Sequence, residues 1–136
     1  MIVMLKKFFV NNTEQPVTFI DSIEETEKVH IVRLKGPIDM FTIPSIQELK
    51  DEAAKKKGML TKNILLNFEK VTHIDGATCA MLLNILSELK QEQHKLAITN
   101  ISEELKNMME ISKIGELFLV YETENQGLEE LKKEEA

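Results

Sequence analysis

The chain has one cysteine, Cys79, and only five glycines and three prolines in 136 residues. A single thiol cannot close an internal disulfide, and no Cys/His spacing suits a structural zinc, so a reducing compartment is the natural inference. The glycines are dispersed, which excludes a Gly-rich phosphate loop of the Walker or dinucleotide type. Basic residues are not in excess. The 17 Lys and Arg against 23 Asp and Glu give a formal net charge of -6, the wrong sign for a nucleic-acid binder or for an anionic membrane surface. No apolar run approaches the roughly 18 to 20 residues that span a bilayer. The opening MIVMLKKFFV places lysines among its apolar residues, and no small-residue cleavage site follows, so it does not read as a signal peptide. The expectation is a cytoplasmic chain whose partners are proteins or small molecules, with no nucleic acid, no membrane and no cofactor.

What is present reads as one domain, since the chain can bury one core but is too short for two. PVTFIDSI and VHIVRL are β-rich runs joined by the acidic turn EETEK, which predicts an antiparallel hairpin. Pro44 suits the first turn of a helix carrying Ile46, Leu49 and Ala53 on one face, with Gly58 as its terminator. NILLNF lacks polar alternation before Asn67 and predicts a central strand covered on both faces. A helix follows Asp75 and continues through Leu89, buried over its first turns. KLAIT is a further strand, Ser102 an N-cap with Glu103 and Glu104 behind it, and a helix runs through Leu105, Met108 and Met109 to Gly115. ELFLVYE is a last short strand, and LEELKKEEA an amphipathic tail whose end frays. Strands alternating with helices after a hairpin give an α/β domain with a mixed sheet.

In parallel β-α units the loops leaving the carboxyl ends of the strands gather at one edge of the sheet, where ligands and partners usually bind. These loops carry Gly36, Pro37 and Asp39; His73, Ile74, Asp75 and Gly76; and Asn100 with Ser102. Asp75 sits where an N-cap belongs, and taken alone it reads equally well as a cap and nothing more. His73, Asp75 and Cys79 do not make a nucleophile or metal site, because Cys79 falls a turn inside an apolar helix, where a thiol behaves as a small hydrophobe. His30, His73 and His94 show no metal-ligand spacing. The glutamates at 24, 25, 27, 129, 130, 134 and 135 read as solvated faces, and Met108 and Met109 as core filler. No nucleophile-base pair exists, so no catalytic residue and no enzyme activity is expected.

Three segments in order, VHIVRLKGPID, NILLNFEKVTHIDGATCAMLLNI and KLAITNISEELKNMMEISKIGELFLVYET, resemble the STAS domain of bacterial anti-sigma factor antagonists. The most specific parts are the Gly-x-Ile-Asp step (Gly36, Ile38, Asp39), the apolar strand leading to Ile74-Asp75, and ISKIGELFLVYE. The resemblance covers Val17 to Leu131. It divides the chain into an N-terminal extension (1–16), a STAS domain (17–131) and a charged tail (132–136), and implies a mixed sheet with helices mostly on one face. It further implies a protein-binding module that regulates transcription by partner switching. The unmodified antagonist binds an anti-sigma factor of the serine-kinase type and releases a sigma factor; phosphorylation breaks that association. The partner-binding surface would comprise Asp39, Asp75, Gly76, Ala77 and Thr78.

The family's phosphorylated Ser or Thr lies two residues after the Asp matched by Asp75, and here that residue is Ala77. Gly76 also replaces a common Ser or Thr, Thr78 stands where the family usually has Gly, and Asn67 where it often has Asp. Either Thr78 has become the acceptor, or the domain binds without being switched there. The second is favoured, because a residue one step along a helix is turned by about 100°. The alternative to partner switching is a sensory or ligand-binding STAS domain holding a nucleotide or other small anion on free helix amides, against which the acidic pair Asp39 and Asp75 weighs. The amphipathic tail and the apolar-basic N-terminus are each suited to pair with another subunit in a homodimer.

Overall fold

The strand from Asn63 is apolar on both alternations, and it becomes the middle of the sheet. A computed structural model describes residues 19–42 and 61–133; the helix expected between Pro44 and Gly58, the N-terminal extension 1–16 and the last three residues lie outside these. The strands are β1 (Ile20–Glu25), β2 (Val29–Ile38), β3 (Asn63–Ile74), β4 (Leu96–Thr99) and β5 (Leu119–Tyr121), in spatial order β1-β2-β3-β4-β5. β1 pairs antiparallel with β2, as the hairpin reading expects, and the remaining pairings are parallel, so the sheet is mixed. The described helices are α1 (Gly76–Gln91), α2 (Glu103–Ile111) and α3 (Glu124–Lys133), with a 3-10 turn at Gly115–Leu117. None of them is long and apolar enough to cross a membrane.

Side chains alternate across a strand, and β3 uses both faces. Ile64, Leu66 and Phe68 join a large core with Val32 and Leu34 of β2, Leu82, Ile85 and Leu89 of α1, and Leu105 and Met109 of α2. Leu65 points the other way, into a smaller core with Val29, Ile31, Ala97 and Leu131. Of the described helices, α1 and α2 therefore cover one face and α3 the other. The segment read as an amphipathic tail is a docked helix: Leu131 is fully buried, and the helix begins at Glu124, four residues before LEELKK.

Two polar devices seat α3. Arg33 on β2 grips Glu124 with both arms of its guanidinium, Nε to Oε1 at 2.9 Å and Nη2 to Oε2 at 3.0 Å. Asn67 on β3 adds Nδ2 to Glu124 Oε1 at 3.0 Å, while its Oδ1 accepts from the amide of Glu69. The Arg33 hydrogen bonds hold the Glu124 carboxyl below its usual range, helped by Asn67 and opposed by burial. An aspartate at 67 would set a second carboxylate against Glu124; asparagine donates instead. The helix also approaches the sheet closely at Gly127, where an added Cβ would lie 2.9 Å from Thr99 Cγ2 and 3.1 Å from Leu65 Cδ1.

Helix ends explain where the sequence reading overshoots. α2 stops at Ile111, short of Gly115, because Lys113 takes the left-handed conformation (φ 58°). Lys113 N then bonds Glu110 O at 3.1 Å and Ile114 N bonds Met109 O at 3.1 Å, the paired closure of a Schellman motif. Gln93 (φ 61°) closes α1 in the same way, through Gln93 N to Lys90 O and His94 N to Leu89 O. Glycine usually fills this role, so neither stop is announced by composition.

Two outcomes test this packing. Gly127→Ala should lower unfolding stability by ~1–3 kcal/mol, the range for overpacking a close contact, in a denaturant titration; no loss would mean that α3 rides higher on the sheet. His30 is only 1 % exposed, and among the described residues neither ring nitrogen has a hydrogen-bond partner, Glu25 Oε1 standing 3.5 Å from Nε2. Burial pushes its pKa below the ordinary 6.5, with Glu25 opposing. The unfolded ring thus takes up a proton at a higher pH than the folded one, so stability is complete above 6.5 and is lost as pH falls through the folded value. The depressed carboxyls of Glu25 and Glu124 act only below their ordinary 4.5, a separate window. His30→Leu should flatten the upper window in urea titrations at a series of pH values; an unchanged slope would assign the titration elsewhere.

Candidate functional site

β2 and β3 stay paired past the body of the sheet. Beyond Arg33↔Asn67 the register shifts twice, at Arg33/Lys35 and at Gly36/Pro37, and Gly36 takes φ +65°, a conformation that favours glycine. The pairing then resumes and ends at Ile38↔Ile74. The next residue on each strand is an aspartate, so parallel pairing together with the two register shifts brings Asp39 and Asp75 to the same end of the sheet.

Asp75 has extended backbone dihedrals (φ -146°, ψ -168°) and caps α1. Its Oδ1 accepts from Ala77 N at 2.8 Å, and it forms a capping box with Thr78, whose backbone donates to the Asp75 side chain while the Asp75 amide donates to Thr78 Oγ1 at 3.3 Å. Its second oxygen reaches outside the helix: Oδ2 accepts from Met40 N at 3.1 Å. One carboxylate thus ties the start of α1 to the loop after β2. Asp39, buried, closes its own turn. Oδ1 accepts from Phe41 N at 2.9 Å, while the amide of Asp39 donates to Thr42 Oγ1 at 2.9 Å and Thr42 N donates to Asp39 O at 3.0 Å.

The structure brings together every residue of the expected surface, in different roles. Gly76 is exposed, and an added Cβ would meet nothing within 4 Å, so the fold does not demand glycine there. Ala77 is half-buried, its methyl packed against the edge of the core. Thr78 is 0 % exposed, and its hydroxyl donates to Ile38 O at 2.6 Å, a second tie between α1 and the end of β2. One oxygen of Asp39 and both of Asp75 accept from amides of the site itself, so the amides of Phe41, Ala77 and Met40 are already engaged where an incoming anion would seek them. Cys79 is buried, and burial, then the nearby Asp75 charge, raises its pKa, so the thiol stays protonated. Among the described residues no group of three His, Cys, Asp or Glu side chains could hold a metal ion.

Sequence reasoning passed over Met40, Phe41 and Thr42. Thr42 locks the turn, and Met40 and Phe41 stand out from it, 67 % and 87 % exposed. Two large apolar residues immediately after the Gly-x-Ile-Asp step, outside any helical or strand period, are the signal that marks them. A groove of about 860 Å³ between α2 and β5 is lined by Ile101, Lys106, Met109, Val120 and Tyr121 among others, and by none of Asp39, Asp75, Gly76, Ala77 and Thr78.

Comparison with known proteins places this geometry. The anti-sigma-B factor antagonist of Staphylococcus aureus is 27% identical over 103 residues, covering 74% of this chain and 93% of that protein. An anti-sigma-factor antagonist (STAS) domain protein from Planctomyces limnophilus superposes with a TM-score of 0.65 at 16% identity, over 83% of this chain and 97% of the other. The Bacillus cell fate determinant SpoIIAA in its phosphorylated form does so with a TM-score of 0.55 at 20% identity, over 80% and 96%. At such identities these structures speak for the fold alone. The STAS domain family model matches residues 20–127, from the first strand to the close approach of α3 on the sheet. The chain belongs to the STAS domain family.

Proposed function

We propose that the protein is an anti-sigma factor antagonist that works by binding, not by catalysis, and that its partner is an anti-sigma factor of the serine-kinase type. The face that binds is the end of the sheet where Asp39, Asp75, Gly76, Ala77 and Thr78 meet. The name of the Staphylococcus aureus relative supports an anti-sigma factor as the partner, and the union of the β2 loop with the start of α1 supports the location.

We further propose that this face is not switched by phosphorylation at the usual place. The observation that carries this is the hydroxyl of Thr78. Ala77 offers no acceptor, and Thr78 lies buried with its hydroxyl committed to Ile38 O. A kinase would have to break that bond and unwind the first turn of α1 to reach it. A phosphate at 78 would also stand beside the Asp75 carboxylate, whose charge repels it. Free of the switch, the protein would act as a constitutive antagonist in the cytoplasm.

The test is direct. Incubated with ATP and the serine-kinase anti-sigma factor of the same bacterium, the protein should keep its intact mass and remain in complex. Ala77→Glu, which sets a second carboxylate next to Asp75, should weaken the complex by about tenfold or more when titrated well below the variant's own melting temperature, so that folded protein is compared with folded protein. Stoichiometric phosphothreonine at Thr78 that dissolves the complex would overturn the unswitched reading. Unchanged affinity in Ala77→Glu would move the binding face elsewhere.

A further inference from the structure

Exposed apolar side chains scattered singly on a surface need no explanation, but Phe41 is placed differently. It is 87 % exposed, with Met40 beside it at 67 %. The backbone that carries it is fixed at each step: Phe41 N to Asp39 Oδ1, Met40 N to Asp75 Oδ2, Asp39 N to Thr42 Oγ1 and Thr42 N to Asp39 O. An aromatic ring on a turn already ordered loses little freedom on binding, which is how interface anchors gain affinity.

The neighbouring surface is unusual in this chain. Charged residues make up 29% of the sequence, yet from Gly76 through Ser87 none occurs. Part of that stretch is core. The outward positions of α1, Gly76, Ala80, Leu83, Asn84 and Ser87, are exposed or half-buried and follow the helical period along one stripe. Leu83 is 38 % exposed within it. The Met40 to Asp75 bond sets the Phe41 turn at the head of this stripe. Together they form an uncharged strip of small and apolar residues with Asn84 and Ser87 at its far end, led by a protruding ring, and the depletion of charge is that of an interface core and not of an ordinary solvated face. The fold leaves Gly76 free to carry a side chain, so its bareness keeps the strip low beside the ring.

We infer that Phe41 is the anchor residue of the antagonist's interface, its ring entering an apolar pocket on an uncharged face of the anti-sigma factor while the α1 stripe packs alongside. This rests on the function proposed above and adds to it the source of affinity: apolar insertion from a pre-set turn takes the place of contacts to a regulated hydroxyl. Specificity then follows from the fit of one ring, since a partner without the pocket would have to bury Phe41 against polar groups.

The experiment places photoreactive benzoylphenylalanine at 41, at 76 and, as a control, at 111, in the full chain expressed in its own cells. Ile111 is 81 % exposed but lies at the end of α2, next to Glu110 and near Lys113. Irradiation should link the anti-sigma factor to positions 41 and 76 and not to 111, with the cross-link from 41 mapping to apolar residues. Against the purified anti-sigma factor, Phe41→Ala should raise Kd by about 30-fold or more, as hot-spot truncations do, and Phe41→Leu by less, with the melting temperature unchanged. Capture from 76 but not from 41, or a loss under about threefold in Phe41→Ala, would overturn the anchor while leaving the proposed function standing. Capture of an anti-sigma factor from neither position would overturn both.

Discussion

The Asp75 carboxylate is shared between two parts of the chain, and the site depends on that sharing. One oxygen satisfies an amide in the first turn of α1, and the other holds Met40 N in the loop after β2. A carboxylate is suited to both tasks because it accepts from several donors at once and its charge is favoured at a helix N-terminus. The Thr78 hydroxyl makes the reverse connection, from α1 back to the last carbonyl of β2. Two segments distant in sequence are thereby held as one surface, with donors and acceptors matched from both sides.

This wiring determines what the surface can do. On the function proposed above, the Asp75 carboxylate caps the helix start, and the methyl group of Ala77 stands where the resembled antagonists carry their modifiable hydroxyl. On that proposal the site gives up reversibility and keeps an ordered surface. The turn bearing Met40 and Phe41 is fixed before any partner arrives, so less ordering entropy opposes association. The polar atoms of the site point inward to hold the surface, and its apolar atoms face outward.

Local chemistry made much of this legible. NILLNF announced a strand covered on both faces, Ser102 its helix, and Asp75 its cap, because each depends on neighbours in sequence. What stayed hidden depends on distant partners. α3 reads only as an amphipathic tail because Glu124 and Gly127 acquire meaning only against Arg33, Asn67, Leu65 and Thr99 of the sheet. The stop at Lys113 is hidden because its left-handed backbone is fixed by hydrogen bonds to earlier carbonyls and not by glycine. The juxtaposition of Asp39 and Asp75 was foreseen, but their division of labour was not: the buried one shapes a turn and the other joins two elements. The Phe41 turn was invisible because its order comes from side-chain oxygens folding back on amides, which no hydrophobic period records.

Amide hydrogen exchange at Met40 probes the shared carboxylate most directly. Met40 lies in an exposed loop and would exchange at the unprotected rate if Asp75 were only a helix cap. With the bridge in place, its amide should be protected in the native protein and lose that protection in Asp75→Ala, while the amides of β3 keep theirs. Unprotected exchange at Met40 in the native protein would contradict the bridge and, with it, a surface ordered in advance of binding.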